Sequence, residues 1–214
     1  AVGRAEADLV DWDDALALFQ SVQPQAVVHC AVNGGGIGWM GRHPVESGRD
    51  SARMNLNALD AAWRTGAKLF IGVSSACVYP RDCPVPFEED QIWNGYPEPM
   101  NGPYALSKRL MMDLGAAYHR QHGLQVGFPV LANLYGPGDS LSQERAHAVA
   151  GLLLRCLAKP HELVVWGTGR ATREFLYVED AAEGVLATGR SPDPSPINIG
   201  TGIETSLAEL ASEI

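Results

Sequence analysis

Long apolar runs are missing from this chain of 214 residues. The best apolar stretch of its second half, AVAGLLLRCLA, carries Arg155 and is far shorter than the roughly 20 residues a bilayer demands. No charged-then-apolar leader opens the sequence, so no membrane partner is expected. Cysteine is scarce: Cys30, Cys77, Cys83 and Cys156 stand at irregular separations without a CxxC. That spacing speaks against a disulfide framework and against metal, and it points to a reduced, cytoplasmic setting. A block of one charge is also lacking. The net charge of -9 is spread along the length, which argues against nucleic acid as the main partner. Repeats and low-complexity linkers are absent too.

What is present is a core-forming composition, 46% hydrophobic and 19% charged, which suits a soluble globular domain. Short apolar runs rich in β-branched residues alternate with longer stretches of helical period. This is the pattern of a parallel sheet covered by helices, a doubly wound α/β fold. A helix is expected over DWDDALALFQSV with Asp11 as cap, then a strand QAVVHCAV, a glycine-rich loop NGGGIGWMG, and a long helix from Val45 to Thr65 closed by Gly66. The strand KLFIGVSSACVY follows, and after a proline-rich excursion Pro103 opens a helix that Gly123 ends. Beyond it come a strand LQVGFPVLANLYG, a helix AHAVAGLLLRCLAK, strands LVVWG and FLYV, a helix EDAAEGVLATGR, the strand INIG and an amphipathic SLAELASEI. In such a sheet a ligand sits at the carboxyl ends of the strands. SSACVYP lies at one of them, which moves Cys77 from core filler towards site residue.

Tyr104 and Lys108, in YALSK, are spaced i, i+4 and share a helical face. An ammonium beside a phenol favours the phenolate, which would bring a tyrosine down from about 10 to where it can move a proton at a carbonyl. Ser74 and Ser75 stand at a strand end some way upstream.

That arrangement resembles the site of an extended short-chain dehydrogenase/reductase. SACVYP, EPMNGPYALSK, ANLYGPGD, VVWGTGRATREFLYVEDAA and INIGTG together resemble the GDP-L-fucose synthases and related nucleotide-sugar epimerases/reductases. The resemblance implies NADP(H) as cofactor, with NAD possible, and a GDP-linked 4-keto-6-deoxy sugar that is epimerised at C3 and C5 and reduced at C4. It implies Cys77 as base and His147 as acid, with Ser75 and Tyr104 at the C4 oxygen and Lys108 supporting Tyr104 and the cofactor ribose. Asp8 and Leu9 match the segment at the adenine ring, while Ala31 and Leu131 match positions beside the cofactor. Asn133, Arg155, Trp166 and Arg173 match substrate contacts. A homodimer through the YxxxK helix and the long helix before it is implied as well. Residues 1–135 are expected to form a partial cofactor domain with the YxxxK, and 136–214 a partial substrate region interleaved with late sheet elements.

The sequence also departs from the family. The GxxGxxG fingerprint of a first strand-to-helix turn is absent, and NGGGIG follows a later strand. The chain is therefore expected to be an internal piece of a longer enzyme, binding NADP(H) poorly by itself. Leu131 stands where family members commonly carry proline, and a thiol of pKa near 8.5 needs nearby cations to serve as a base. Two rival readings stay open: a nucleotide-sugar 4-epimerase using tightly held NAD, and a non-catalytic relative. A 4,6-dehydratase is disfavoured by Ala76-Cys77, where that group carries Asp-Glu.

Overall fold

The computed structural model describes residues 1–142, 144–158, 163 and 167–214. The expected strand LVVWG and Trp166 lie outside the described residues, apart from the two ends of that strand.

Seven helices and eight strands are described: α1 Trp12–Val22, β1 Ala26–His29, α2 Ile37–Arg42, α3 Pro44–Arg64, β2 Leu69–Gly72, β3 Ser74–Ser75, α4 Gly102–His122, β4 Gln125–Leu131, β5 Asn133–Tyr135, α5 Ala148–Ala158, β6 Thr172–Tyr177, α6 Val178–Arg190, β7 Pro196–Ile199, β8 Glu204–Ser206 and α7 Leu207–Glu213. Two of the helices start on side-chain caps. The Asp11 carboxylate accepts from the amides of Asp13 and Asp14 and so caps α1. Ser206 and Glu209 form a capping box on α7.

The main sheet is parallel, with β1 beside β2, β2 beside β4, and β4 beside β7. β3 continues the path of β2 along β4 after a break at Val73. β5, β6 and β8 form a second, smaller sheet. Helices cover both faces of the main sheet, as the side-chain alternation requires. Phe70, Val126, Phe128 and Val130 pack with Ala58, Leu59, Met111 and Met112 of α3 and α4 on one face. Ile71 and Leu131 pack with Ala181 and Val185 of α6 on the other. A strand buried on both sides reads as a continuous apolar run, which is why KLFIGV has no polar alternation.

Two expected strands are interrupted. SSACVY leaves the sheet after Ser75 and winds into a 3-10 turn, Ala76–Val78. LQVGFPVLANLYG divides at Ala132, whose amide donates to Ile199 O, and its two halves belong to different sheets. The glycine-rich loop also holds a short helix, α2, that composition concealed. Among the described residues no helix is long and apolar enough to cross a membrane.

α3 and α4 lie in close contact because small residues face the seam. A Cβ on Gly48 would come within 2.5 Å of Pro103 Cβ, so glycine there lets the first turn of α4 seat against α3. That seat fixes where Tyr104 and Lys108 stand.

Candidate active site

The carboxyl edge of the main sheet gathers several of the residues singled out above. β1 runs on past His29 to the half-buried Ala31, β3 carries Ser74 and Ser75, and β4 ends at Leu131. Ser75 shapes the middle of this edge: its hydroxyl accepts from the Cys77 amide at 3.4 Å, closing the 3-10 turn. The turn swings Cys77 out of the strand, so that the thiol packs against Tyr104, Trp39 and Met40.

Tyr104 and Lys108 are both buried, 8% and 2% exposed. Lys108 Nζ donates to Val73 O at 2.8 Å and lies 5.9 Å from the centroid of the Tyr104 ring. Burial pulls the Lys108 ammonium down to about 8, against a smaller opposing pull from Cys30. The Tyr104 phenol differs from the expectation that Lys108 would lower it. Burial pushes it well above its usual range, Cys77 adds to the rise, and the Ser75 hydroxyl opposes it. Burial also raises the Cys77 thiol, opposed first by Ser75 and then by the Arg173 guanidinium. Arg173, exposed on β6 with one guanidinium nitrogen donating to Thr172 O, is therefore the cation that favours a thiolate here.

His147 is exposed and stands one residue ahead of α5, its carbonyl already accepting from Gly151. Its Nδ1 meets Asp139 Oδ1 at 3.1 Å, an orienting carboxylate that the sequence reading missed. The glycine-rich loop ties this segment to the Cys77 cluster. Gly36 N donates to Arg145 O at 3.0 Å, and the Arg145 guanidinium lies 4.4 Å over the Trp39 ring. A Cβ on Gly36 would fall 2.5 Å from Ala146 O, so only glycine permits this approach. The Trp39 ring and the loop thus tie residues 145 and 146 to the Cys77 cluster, and His147 follows them in the chain.

The remaining candidates are more dispersed. Asn133 reaches Glu174 O from β5 at 3.0 Å, holding the second sheet together. Arg155 Nε donates back along its own helix to Gly151 O. Asp8 accepts from Val10 N and pairs with Arg4, while Leu9 O accepts from Asn57 on α3. The Leu131 side chain is in the core beneath α6, so any cofactor contact there falls to its main chain. Sequence reasoning also missed Asn101, whose Nδ2 donates to Cys77 Sγ at 3.1 Å. It lies within the quoted EPMNGPYALSK, but nothing in the spacing shows that its side chain turns to sulfur.

A nicotinamide cofactor fits this edge. Lys108 spends one of its three N–H donors on Val73 O. The other two can serve a vicinal diol such as a ribose.

Known proteins resemble the chain along nearly its whole length. A probable GDP-L-fucose synthase of rice is 34% identical over 97% of this chain, which spans 65% of that relative's length. A GDP-L-fucose synthetase of Naegleria fowleri, solved with NADP bound, superposes with a TM-score of 0.84 at 29% identity, covering 99% of this chain and 67% of that one. A UDP-glucose 4-epimerase of Thermotoga maritima, solved with UDP-glucose, gives 0.86 at 25%, covering 99% and 68%. The family model of the NAD dependent epimerases/dehydratases matches residues 2–200, and the chain belongs to that family.

Proposed function

We propose that the chain forms the larger part of an NADP(H)-dependent epimerase/reductase acting on a GDP-linked 4-keto-6-deoxy sugar. The observation that carries this reading is the contact of a cysteine, Cys77, with the tyrosine of the YxxxK helix, Tyr104. A ketone reductase needs only the tyrosine and lysine. A thiol at the same spot adds the second proton-transfer group that inversion next to a ketone requires.

In this reading Cys77 thiolate removes the proton from the carbon beside the C4 ketone, and the C–H electrons pass into an enolate. His147, held by Asp139, returns a proton to the opposite face. Tyr104 and Ser75 hold the C4 oxygen, and Tyr104 gives it a proton as the ketone becomes an alcohol. NADPH, when bound, supplies the hydride for that reduction. Lys108 would hold its ribose, with Asp8, Leu9, Ala31 and the Leu131 main chain along its length. Asn133, Arg155, Trp166 and Arg173 would meet the GDP-sugar, where a planar guanidinium suits a phosphate. Residues 1–135 then serve the cofactor, and 136–214 serve the substrate while lending α6 and β7 to the main sheet. Similarity to the rice and Naegleria proteins supports this assignment over a 4-epimerase, which has no use for Cys77 and His147.

A second copy of the chain is the proposed partner. The α3–α4 face carries the exposed side chains of Val45, Leu106 and Leu110 around a shallow apolar depression of about 480 Å³. The test of the function is solvent-deuterium incorporation at C3 and C5 of the keto sugar, measured beside ketone reduction. Exchange that depends on Cys77 supports the epimerase/reductase; reduction or 4-epimerisation without exchange supports the rivals.

A further inference from the structure

Asn101 occupies the N-cap position of α4, three residues before Tyr104. An asparagine there ordinarily turns its side-chain oxygen onto the free amides of the first helical turn. This one makes no such bond. Its side chain points instead at sulfur, with Nδ2 donating to Cys77 Sγ at 3.1 Å. The residue is 8% exposed, and Oδ1 is buried with no hydrogen-bond partner. The side chain thus forgoes both the cap and a partner for its oxygen, and the contact it keeps is the one to Cys77. Stability of the helix start gives no reason for that choice.

Chemistry at the sulfur does. A neutral thiol is a weak acceptor, so an N–H aimed at it contributes little. Once the sulfur is ionised, the same N–H becomes a charge-assisted donor and the bond strengthens. The donor therefore favours the anion over the neutral form. It acts from the α4 side, whereas Ser75 approaches from β3 and Arg173 from β6, and the Tyr104 phenol is the other ionisable group packed against the thiol. Arg173 is exposed and screened by solvent, so a buried dipole at contact distance is the steadier of the two supports.

We propose that Asn101 is the positioning residue of Cys77: its amide N–H favours the thiolate over the neutral thiol and fixes the direction of the sulfur beside Tyr104. This deepens the reading of Cys77 as a base and rests on it for its use in catalysis.

The experiment follows alkylation of Cys77 by iodoacetamide against pH, with peptide mass spectrometry separating it from Cys30, Cys83 and Cys156. Only thiolate reacts, so the midpoint reports ionisation without substrate or cofactor. Asn101→Ala should move that midpoint up by about one unit, which slows alkylation at pH 7.5 roughly tenfold. Asn101→Asp, of the same shape but anionic, should slow it further. Asn101→Ser keeps a residue able to cap α4 and should behave as Asn101→Ala does, which separates the effect on sulfur from damage to the helix start. An unchanged pH profile in these variants overturns the proposal. Faster alkylation in Asn101→Ala also overturns it, because the amide oxygen would then be what faces a thiol proton. A shifted profile in a protein that shows no deuterium exchange would leave Asn101 in this role and remove the epimerase reading. Exchange that depends on Cys77, with no shift, would do the reverse.

Discussion

Lys108 Nζ donates to the main-chain oxygen of Val73 at 2.8 Å, and this buries an ammonium where β2 breaks to become β3. The arrangement has a cost that follows from the sign of the shift. The folded protein holds Lys108 near 8 and the unfolded chain near 10.5. Between those values the unfolded state binds more protons, so stability rises with pH from about 8 to about 10.5 and the full penalty is present below. Lys108→Met should therefore stabilise the protein at pH 7 by about 2 kcal/mol, a gain that fades above pH 10.5, while ketone reduction is lost. Urea unfolding at pH 7 and 10.5 checks this; equal destabilisation at both would contradict it.

His29 behaves in the same direction at lower pH. Its Nε2 meets Asn55 Oδ1 at 2.9 Å in the core, and burial, with a smaller contribution from Lys108, lowers it from 6.5 to about 4. The unfolded chain takes up the proton first, so stability falls as pH drops from about 6.5 towards 4, by up to about 3 kcal/mol. His29→Gln should flatten that part of the acid-unfolding curve. A variant curve parallel to the parent's would show that His29 is not the group responsible.

Asp139 is expected to act through His147. Asp139→Asn keeps the shape of the contact at 3.1 Å and removes the charge of the carboxylate that orients the ring. Proton return should slow by about tenfold or more while ketone reduction of an already epimerised substrate changes little. Equal losses in both steps would assign Asp139 a merely structural part.

The α3–α4 face gives a further test. Leu106 and Leu110 lie one turn apart on α4, 40% and 41% exposed. Leu106→Glu with Leu110→Glu should convert a dimer to a monomer in analytical ultracentrifugation. A dimer that survives both charges places the interface elsewhere.

The course of the fold was readable where one periodicity dominates. Helices α1, α3, α4 and α6 announce themselves by caps and apolar stripes, and β2 by an uninterrupted apolar run between turn signals. The breaks were not readable. Ser75 ends a strand because its hydroxyl takes the Cys77 amide, and Ala132 changes sheets because Ile199 meets its amide; both are decided by three-dimensional partners. The site divides in the same way. Cys77, Tyr104 and Lys108 were singled out by motif, but the pull on each group was not legible. A pairing rule expects Lys108 to lower the phenol, whereas burial of the whole cluster raises it, because desolvation acts on a charge before any neighbour does. Asp139 and Asn101 carried no spacing signal, since each approaches its partner through a loop or a cap.

The central claim is that Cys77 and Tyr104 divide two chemistries between them. Solvent-deuterium exchange at C3 and C5, measured beside ketone reduction in the intact protein, tests it most directly. The account predicts that Cys77→Ser loses exchange by about 10²-fold or more and keeps reduction of an epimerised substrate, while Tyr104→Phe keeps exchange and loses reduction on a similar scale. Exchange untouched in Cys77→Ser would contradict it.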